Sequence, residues 1–225
     1  MKAKTVAVTL VIVLVVGGVG IGFAQKDPAT RKAGGLVELP KPRTEGGMSL
    51  TEVLAKRRSI RNFTGQPLTA EQISQLCWAA QGVTDQRKHR TAPSAGATYP
   101  LRIYVAMPDG VFVYLPDKNA LEQVSSRDVR AGIAEDSNQK WIADAGAILV
   151  VCADVAITAA KYPEKATRYV SQETGHVAQN VLLQATALGL GSTPVGATDD
   201  AALAERLHLP KPWQVMYVLP IGVPK

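Results

Sequence analysis

The longest regular pattern in the sequence is T-R-Y-V-S-Q-E-T-G-H-V-A-Q-N-V-L-L-Q-A-T-A-L, from Thr167 to Leu188. Apolar side chains such as Val170, Val177 and Val181 recur along it at helical spacing, which predicts an α-helix of 22 residues ending at Gly189. Because this helix is apolar nearly all round, we expect it to be buried in the core or in an interface between subunits.

Shorter elements surround this helix on both sides in the sequence. Ser49 with Glu52, and Thr69 with Gln72, have the spacing of the capping box that begins helices. Strands are expected at Leu101–Met107, 111–115, Ala147–Ala153 and 215–221, and short helices around Leu121, around Val129 and at 203–207. Since regular strand–helix repeats are too few for a doubly wound parallel sheet, we predict an α+β fold.

Composition narrows the class of protein. The 225 residues are 46% hydrophobic and 20% charged, which is typical of a globular domain. Two cysteines exclude a disulfide-stapled miniprotein and a cysteine-based zinc module, and with three histidines we predict no metal site. Cys77 and Cys152 are interpreted as small buried apolar residues, although export would also allow a disulfide.

The N-terminus has the organisation of an export signal. Lys2 and Lys4 precede the uncharged run from Val6 to Ala24, which ends in Gly-Phe-Ala. Residues 1–24 are therefore predicted to be a signal peptide, or an uncleaved membrane anchor because the run nearly spans a bilayer. The protein is expected to be exported to the periplasm or the exterior. Residues 25–48, rich in Pro and Gly, are predicted to be a linker or an extended arm before a single domain at 49–225.

A basic cluster follows the first helix of that domain. Lys56, Arg57, Arg58 and Arg61 carry much of the net charge of +6. Such a cluster can attract a phosphate, an anionic lipid or nucleic acid, or it can be a solvated helix end. Nucleic-acid binding is not expected, because aromatic residues make up only 5% and no basic stripe alternates with them. The arginines and the Ser59 hydroxyl suit a phosphate monoester.

Two further segments could line a flat anionic ligand. In P-S-A-G-A, from Pro93 to Ala97, small side chains would let a planar ring approach the main-chain amides. G-L-G-S-T-P-V-G, from Gly189 to Gly196, resembles a phosphate-binding loop only loosely, and a helix end followed by a turn explains it equally well.

Five motifs in this order resemble the nitroreductase-like FMN flavoproteins. The pattern is most similar to the SagB/ThcOx-type dehydrogenases, which oxidise azolines during peptide maturation. The motifs are R-R-S-I-R-N-F (57–63), P-L-T-A-E-Q-I-S-Q-L-C-W-A-A-Q-G (67–82), R-T-A-P-S-A-G-A-T-Y-P (90–100), Q-E-T-G-H-V-A-Q-N (172–180) and A-L-G-L-G-S-T-P-V-G-A (187–197). The resemblance covers roughly residues 50–224. Ala97 departs from many nitroreductases, which carry a polar amide residue at that point.

The resemblance implies an α+β homodimer with a central, mostly antiparallel sheet flanked by helices. It places the long helix in the dimer interface and one FMN at each interface between subunits. The residues implied for the phosphate and ribityl chain are Arg57, Arg58, Ser59, Arg61 and Lys225. Those implied beside the isoalloxazine are Pro93, Ser94, Ala95, Gly96 and Gln139, and those at its reactive edge are Pro194, Val195 and Gly196. One amide near this edge is implied to donate to flavin N5.

The resulting hypothesis is an exported oxidoreductase in which hydride or electrons pass from a donor to a small acceptor by a ping-pong flavin mechanism. Because the cofactor carries the chemistry, no catalytic side chain is predicted. The substrate could be a small molecule or a peptide, and the electron donor stays open, since NAD(P)H is available only on the cytoplasmic side. A non-catalytic flavin- or ligand-binding module with the same fold is the alternative. Glu173 and His176 are interpreted as a core or hydrogen-bonded pair, not as metal ligands.

Overall fold

The computed structural model describes residues 35–225. The helices are Leu50–Lys56 (α1), Ala70–Gln81 (α2), Arg130–Asp136 (α3), Val155–Ala159 (α4), Ala166–Ala187 (α5) and Asp200–Arg206 (α6). The strands are Leu36–Glu38 (β1), Leu101–Met107 (β2), Gly110–Leu115 (β3), Ala120–Ser125 (β4), Ala147–Ala153 (β5), Gly191–Ser192 (β6) and Gln214–Gly222 (β7). Turns of 3₁₀ helix lie at Ala95–Ala97 and Lys140–Asp144.

A single antiparallel sheet organises these elements. Its strand order is β1-β4-β3-β2-β5-β7-β6, and every neighbouring pair of strands is antiparallel. The predicted α+β class and the mostly antiparallel sheet are therefore confirmed. β6 forms one edge of the sheet and follows directly after α5, so the end of the long helix lies close to this edge.

Helices cover both faces of the sheet. On one face α2 and α5 pack through Leu76 and Val177 against Leu149 of β5. On the other face α3 and α6 contribute Ile133 and Leu203, which share a core with Ile148, Val150 and Cys152 of β5. Every residue of β5 is buried, because its side chains alternate between two cores and neither face meets water.

The helix starts agree with the sequence signals. Ser49 caps α1 by accepting the Glu52 amide at 3.3 Å, and Thr69 and Gln72 exchange both hydrogen bonds of a capping box at α2. The predicted long helix becomes α5, which turns one face into the core. Its other face, including Ser171, Gly175 and Gln179, is exposed on the single chain. On the single chain, α5 is therefore buried over a narrower part of its surface than its apolar composition predicts.

Two predicted segments differ from the structure. The stretch around Leu121, expected to be helical, is strand β4, because the turn before it reverses the chain onto β3 with Asn119 at a φ of 44°. Within 25–48, predicted to be a linker or an extended arm, Leu36–Glu38 pairs with β4 as an edge strand that the sequence did not predict. Both segments become strands because they pair with other strands of the sheet, and such pairing leaves no signal in the local sequence.

The rest of this arm is held on α2. The Gln75 side-chain amide accepts the Arg43 N–H at 2.8 Å and donates to the Arg43 carbonyl at 3.0 Å. Ser74 donates its hydroxyl to the carbonyl of Pro40. Polar side chains on the buried face of α2 therefore satisfy the backbone of a segment that has no regular structure of its own.

The two cysteines are free and buried on opposite faces of the sheet, Cys77 in the α2/α5 core and Cys152 in the α3/α6 core. Burial raises the pKa of both thiols. The predicted export signal at 1–24 lies outside the described residues. Within 35–225, no helix is both long and apolar enough to cross a membrane.

Gly82 ends α2 for a steric reason. Its φ of −62° would suit any residue, but an added Cβ would lie 2.1 Å from Trp78 Cδ1 and 2.6 Å from the Trp78 carbonyl oxygen. We expect Gly82→Ala to lower the free energy of unfolding by about 1–2 kcal/mol through overpacking, as measured by urea denaturation. A cycle with Trp78→Ala is the control. Unchanged stability in Gly82→Ala would contradict this explanation. Equal costs with and without the indole would assign the overpacking to the Trp78 carbonyl oxygen, which the cycle leaves in place.

Candidate functional site

The first predicted segment, 57–61, lies along the edge of the sheet. The Ile60 N–H donates to the Ser192 carbonyl at 3.1 Å, and Ser59 forms a parallel bridge with Ser192 of β6. Gly191 lies directly beneath, because an added Cβ there would meet Ile60 Cγ2 at 2.6 Å. The structure thus brings the first predicted segment and the start of the third into backbone contact.

The arginines of this segment are used differently. Arg58 turns back onto α1, and its NH1 donates to the carbonyls of Ala55 at 3.1 Å and Arg57 at 2.7 Å. Among residues 35–225, no hydrogen bond or ion pair engages the guanidinium of Arg57 or Arg61. Arg57 and Arg61 are therefore free to bind an anion, whereas Arg58 already serves the carboxyl end of α1.

The C-terminus joins the same edge. The Lys225 N–H donates to the Asn62 carbonyl at 3.1 Å, and Phe63 forms a bridge with Pro224. The Lys225 side chain is exposed, and its Nζ lies 3.6 Å from Asp144. Backbone pairing thus fixes the last residue of the chain beside the 57–61 segment.

Gln139 comes to this region through the 3₁₀ turn that follows it. Its N–H donates to the Ala134 carbonyl at 3.0 Å, which ties it to the end of α3. In the turn, the Trp141 ring lies 6.0 Å from the ring of Phe63. Gln139 is therefore near the 57–63 stretch through the packing of Trp141.

The segment Pro194–Gly196 continues from β6 towards β7. The N–H of Val195 donates to the Val218 carbonyl at 2.8 Å, and the N–H of Val218 donates to the Val195 carbonyl at 3.0 Å. Gly196 is exposed, and no backbone hydrogen bond within 35–225 uses its N–H. Of these two amides, only the one of Gly196 remains available to a ligand. A Cβ on Gly196 would approach Tyr217 Cε2 at 3.3 Å.

The second predicted segment lies elsewhere, against α5. Ser94 donates its hydroxyl to Glu173 at 2.6 Å and accepts the Tyr99 N–H at 2.9 Å, so both roles of this hydroxyl are occupied. Pro93 and Gly96 are exposed and Ala95 is half-buried. The 93–97 loop therefore presents its main chain and small side chains, not the Ser94 hydroxyl, to the solvent.

The tip of this loop has a backbone conformation that favours glycine. Gly96 has a φ of +60°, and an added Cβ would lie 2.7 Å from Lys161 Nζ and 2.8 Å from the Tyr162 hydroxyl. Lys161 also donates to the Gly96 carbonyl at 3.3 Å. A cation that the sequence did not single out thus lies at the tip of the 93–97 loop.

Glu173 is the strongly perturbed acid of this region. It is 3% exposed, and burial raises its pKa to about 7, although the Ser94 hydroxyl and the Gln81 amide act in the opposite direction. The Gln81 side-chain amide lies close enough to lower the pKa of Glu173, although Gln81 Nε2 and Glu173 Oε1 do not form a hydrogen bond of good geometry. A buried carboxyl that titrates near neutrality is typical of functional regions.

The interpretation of Glu173 and His176 as a pair is wrong. Glu173 faces the core and bonds Ser94, whereas His176 is exposed, and no hydrogen bond joins the two. The sequence did contain a signal for Glu173, because it shares the helical stripe of Val170 and Val177 and thus places a carboxylate on an apolar face.

The two groups of predicted residues are far apart within one chain. Ser94 touches α5 at Glu173, whereas Ser192 follows the helix end at Ala187. The fourteen residues between Glu173 and Ala187 correspond to about 20 Å along the helix axis. No hydrogen bond within 35–225 joins the 93–96 loop to residues 57–61 or 192–196. One chain therefore does not bring all predicted site residues together.

Comparisons with known proteins agree with this architecture. The family model described as "Nitroreductase family" matches residues 54–223. A protein of Methanocaldococcus jannaschii named as a nitroreductase, MJ1384, is 39% identical over 196 residues, which cover 84% of this chain and 98% of that protein.

Solved structures show the same fold. A crystal structure of a Ralstonia eutropha JMP134 protein named as a nitroreductase superimposes with a TM-score of 0.80 at 30% identity, covering 88% of this chain and 93% of that one. The NADPH:FMN oxidoreductase of Vibrio harveyi, solved in complex with NAD⁺, gives a TM-score of 0.59 at 25% identity and covers 78% and 69% of the two chains.

Proposed function

The chain belongs to the nitroreductase family of oxidoreductases, and from this premise we propose that it is an FMN-dependent enzyme that passes hydride or electrons between a donor and a small acceptor. The Ile60–Ser192 hydrogen bond carries the proposal, because it gathers two of the three predicted segments at one sheet edge. The relationship to an NADPH:FMN oxidoreductase supports a flavin as cofactor.

The donors at this edge suit the phosphate of FMN. Arg57 and Arg61 have free guanidinium groups, Ser59 is exposed, and Lys225 is held close by its backbone bond to Asn62. Guanidinium groups bind phosphate oxygens through short charge-assisted bonds, often two at a time. We call Arg57, Ser59, Arg61 and Lys225 the edge cluster and assign the phosphate and ribityl chain to it.

The amide of Gly196 is the proposed partner of the flavin ring. When bound, FMN supplies a ring that accepts and releases hydride at N5. The Val195 N–H cannot donate to the flavin because it already donates to the Val218 carbonyl. The Gly196 N–H has no such partner within 35–225, and the absence of a side chain lets the flavin ring approach it closely. Gln139 and Pro194 would border the same region.

A second copy of the chain would complete the site. The 93–96 loop lies too far along α5 to meet the edge cluster of its own chain, so we propose a homodimer in which the loop of one subunit faces the edge cluster of the other. Leu50 and Leu54 support this arrangement, because these α1 leucines are 66% and 53% exposed beside α5. Unpaired leucines next to an exposed helix face are typical of subunit interfaces.

Leu54→Glu is expected to weaken the dimer by placing a charge in the proposed interface. We expect the dissociation constant of the dimer to rise at least tenfold in sedimentation velocity, with loss of bound FMN at micromolar protein. Leu36→Glu is the matched control, because Leu36 is 50% exposed on the far edge strand β1. Dimers of equal stability in both variants would place the interface elsewhere.

The remaining parts of the proposal concern location and substrate. Residues 1–24 would export the protein or anchor it to a membrane, and a donor other than NAD(P)H would then be required. The SagB/ThcOx-type pattern of motifs favours a small-molecule or peptide substrate. Because those dehydrogenases oxidise azolines, a peptide azoline would be the hydride donor, and a small oxidant would be the acceptor. A donor screen with NADH, NADPH and a reduced quinone, monitored by flavin absorbance, separates these cases.

The absorbance spectrum of the purified full-length protein tests the function. We expect a bound yellow chromophore that bleaches with a reductant and recovers with a quinone or a nitroaromatic compound. A colourless protein that does not take up added FMN would instead support the alternative of a non-catalytic module.

A further inference from the structure

A cavity of about 440 Å³ opens where strands β2 and β3 separate. The two strands pair from Tyr104 with Val113 to Met107 with Gly110, but the pairing stops there although both strands continue. Leu101–Ile103 and Tyr114–Leu115 therefore line a gap in the sheet. The principal polar and aromatic lining residues are Gln81, Arg90, Tyr99, Arg102, Tyr114 and Trp213.

One buried donor at this cavity has no acceptor among residues 35–225. Arg90 Nε is buried and makes no hydrogen bond, although Arg90 NH1 donates to the Gln81 carbonyl at 3.0 Å. The side-chain amide of Gln81 is directed at Glu173, whose pKa it lowers, so it is not a free donor. Since a buried donor is costly when it is unsatisfied, the cavity favours a ligand that supplies an acceptor to Arg90.

Two guanidinium groups at the cavity lie over aromatic rings. Arg90 lies over the Tyr99 ring at 5.3 Å, and Arg102 lies over the Trp213 ring at 4.1 Å. A guanidinium stacked on a ring keeps its N–H groups in its own plane, where they can bind a planar carboxylate. The same rings offer a flat apolar body a surface on which to pack.

The charges around the cavity favour an anion. Arg90 and Arg102 contribute two cations, and of the two lining acids Asp117 is paired with Lys88 at 3.4 Å. Glu122 is then the one lining acid without an ion pair among residues 35–225. With Asp117 neutralised by Lys88, the two arginines and Glu122 leave a net charge of about +1, which a ligand with one negative charge would balance.

We propose that this cavity, the β2–β3 cavity, binds an aromatic monocarboxylate. The carboxylate accepts from the Arg90 guanidinium, and the ring packs between Tyr99 and Trp213. The volume suits a one- or two-ring compound, since ligand pockets of this kind measure about 300–1,000 Å³. None of the edge-cluster residues lines the cavity, so the proposal stands independently of flavin binding.

Titration calorimetry of the full-length protein with naphthalene-2-carboxylate tests the proposal, with naphthalene-2-carboxamide as the neutral comparison. We expect the carboxylate to bind at least tenfold more tightly than the amide. Arg90→Met keeps the apolar stem but removes the donors, and should weaken carboxylate binding at least tenfold. Arg87→Met is the matched control, because Arg87 is exposed and outside the cavity, and should bind like the wild type.

Absence of binding, equal affinity for the acid and the amide, or unchanged affinity in Arg90→Met would overturn the proposal. Should Arg90→Met fail to fold by circular dichroism, Arg102→Met tests the opposite wall and should weaken binding by a similar factor. Flavin content measured in the same samples shows whether FMN binding fails separately, because the two sites share no residue named here.

Discussion

Replacing Arg57 with methionine is expected to weaken FMN binding ten- to a hundredfold. The guanidinium has no partner within residues 35–225 and stands beside Ser59 at the sheet edge, so its free N–H groups can serve the phosphate. Loss of one charge-assisted hydrogen bond corresponds to about 1.5–3 kcal/mol, which gives this range of affinity. Fluorescence titration of the flavin-free full-length protein with FMN measures it.

Arg58→Met provides the matched control for this prediction. It removes the same charge one residue away, but the Arg58 guanidinium is already bonded to the carbonyls of Ala55 and Arg57. We expect a change of less than about threefold, since only the long-range attraction of one exposed charge is lost. Equal losses in the two variants would mean that net charge, not a specific bond, governs binding. Full affinity in Arg57→Met would remove this residue from the phosphate site.

The folded protein is expected to lose stability as the pH rises from about 4.5 to 7, through Glu173. Burial raises the pKa of this carboxyl to about 7, so the folded state holds a proton that the unfolded chain releases at lower pH. The stabilisation is therefore complete below the unfolded pKa and is lost as the pH passes the folded pKa. The full shift corresponds to about 3 kcal/mol, which is the largest change expected from this group.

Glu173→Gln isolates this contribution. Glutamine keeps a carbonyl oxygen that can accept the Ser94 hydroxyl but cannot titrate, so the variant should lack this part of the pH dependence. Urea denaturation at pH 5 and pH 8 gives the difference between wild type and variant. Glu164→Gln is the control, because Glu164 is exposed in the turn before α5, and it should follow the wild type. A Glu173→Gln variant with the wild-type slope would assign the pH dependence to other groups.

Local signals predicted the elements whose causes are local. The capping box at Thr69 and the apolar stripe of α5 each act within a few residues, and each reappears in the structure. Strand β4 was misread as helix because its partner, β3, decides its conformation. The short strand β1 was missed for the same reason, since three residues carry no periodicity.

The candidate site likewise has features that the sequence could predict and features that it could not. Arginines, a serine and glycines with suitable spacing could be recognised in the sequence, and so could the family resemblance that orders them. Other features of the site could not be recognised there. The Arg58 guanidinium turns back onto α1, the Val195 N–H donates to Val218, and the Ser94 hydroxyl donates to Glu173. None of these contacts has a local signature.

Hydrophobic periodicity and side-chain chemistry are properties of neighbouring residues, so they are enough to predict the α+β class, the long helix and the residue types at the proposed flavin site. The packed chain is needed to establish which donors remain free, how far the 93–96 loop lies from the sheet edge, and where β2 and β3 separate. Each of these depends on hydrogen bonds and burial, which exist only once segments far apart in the chain have packed together.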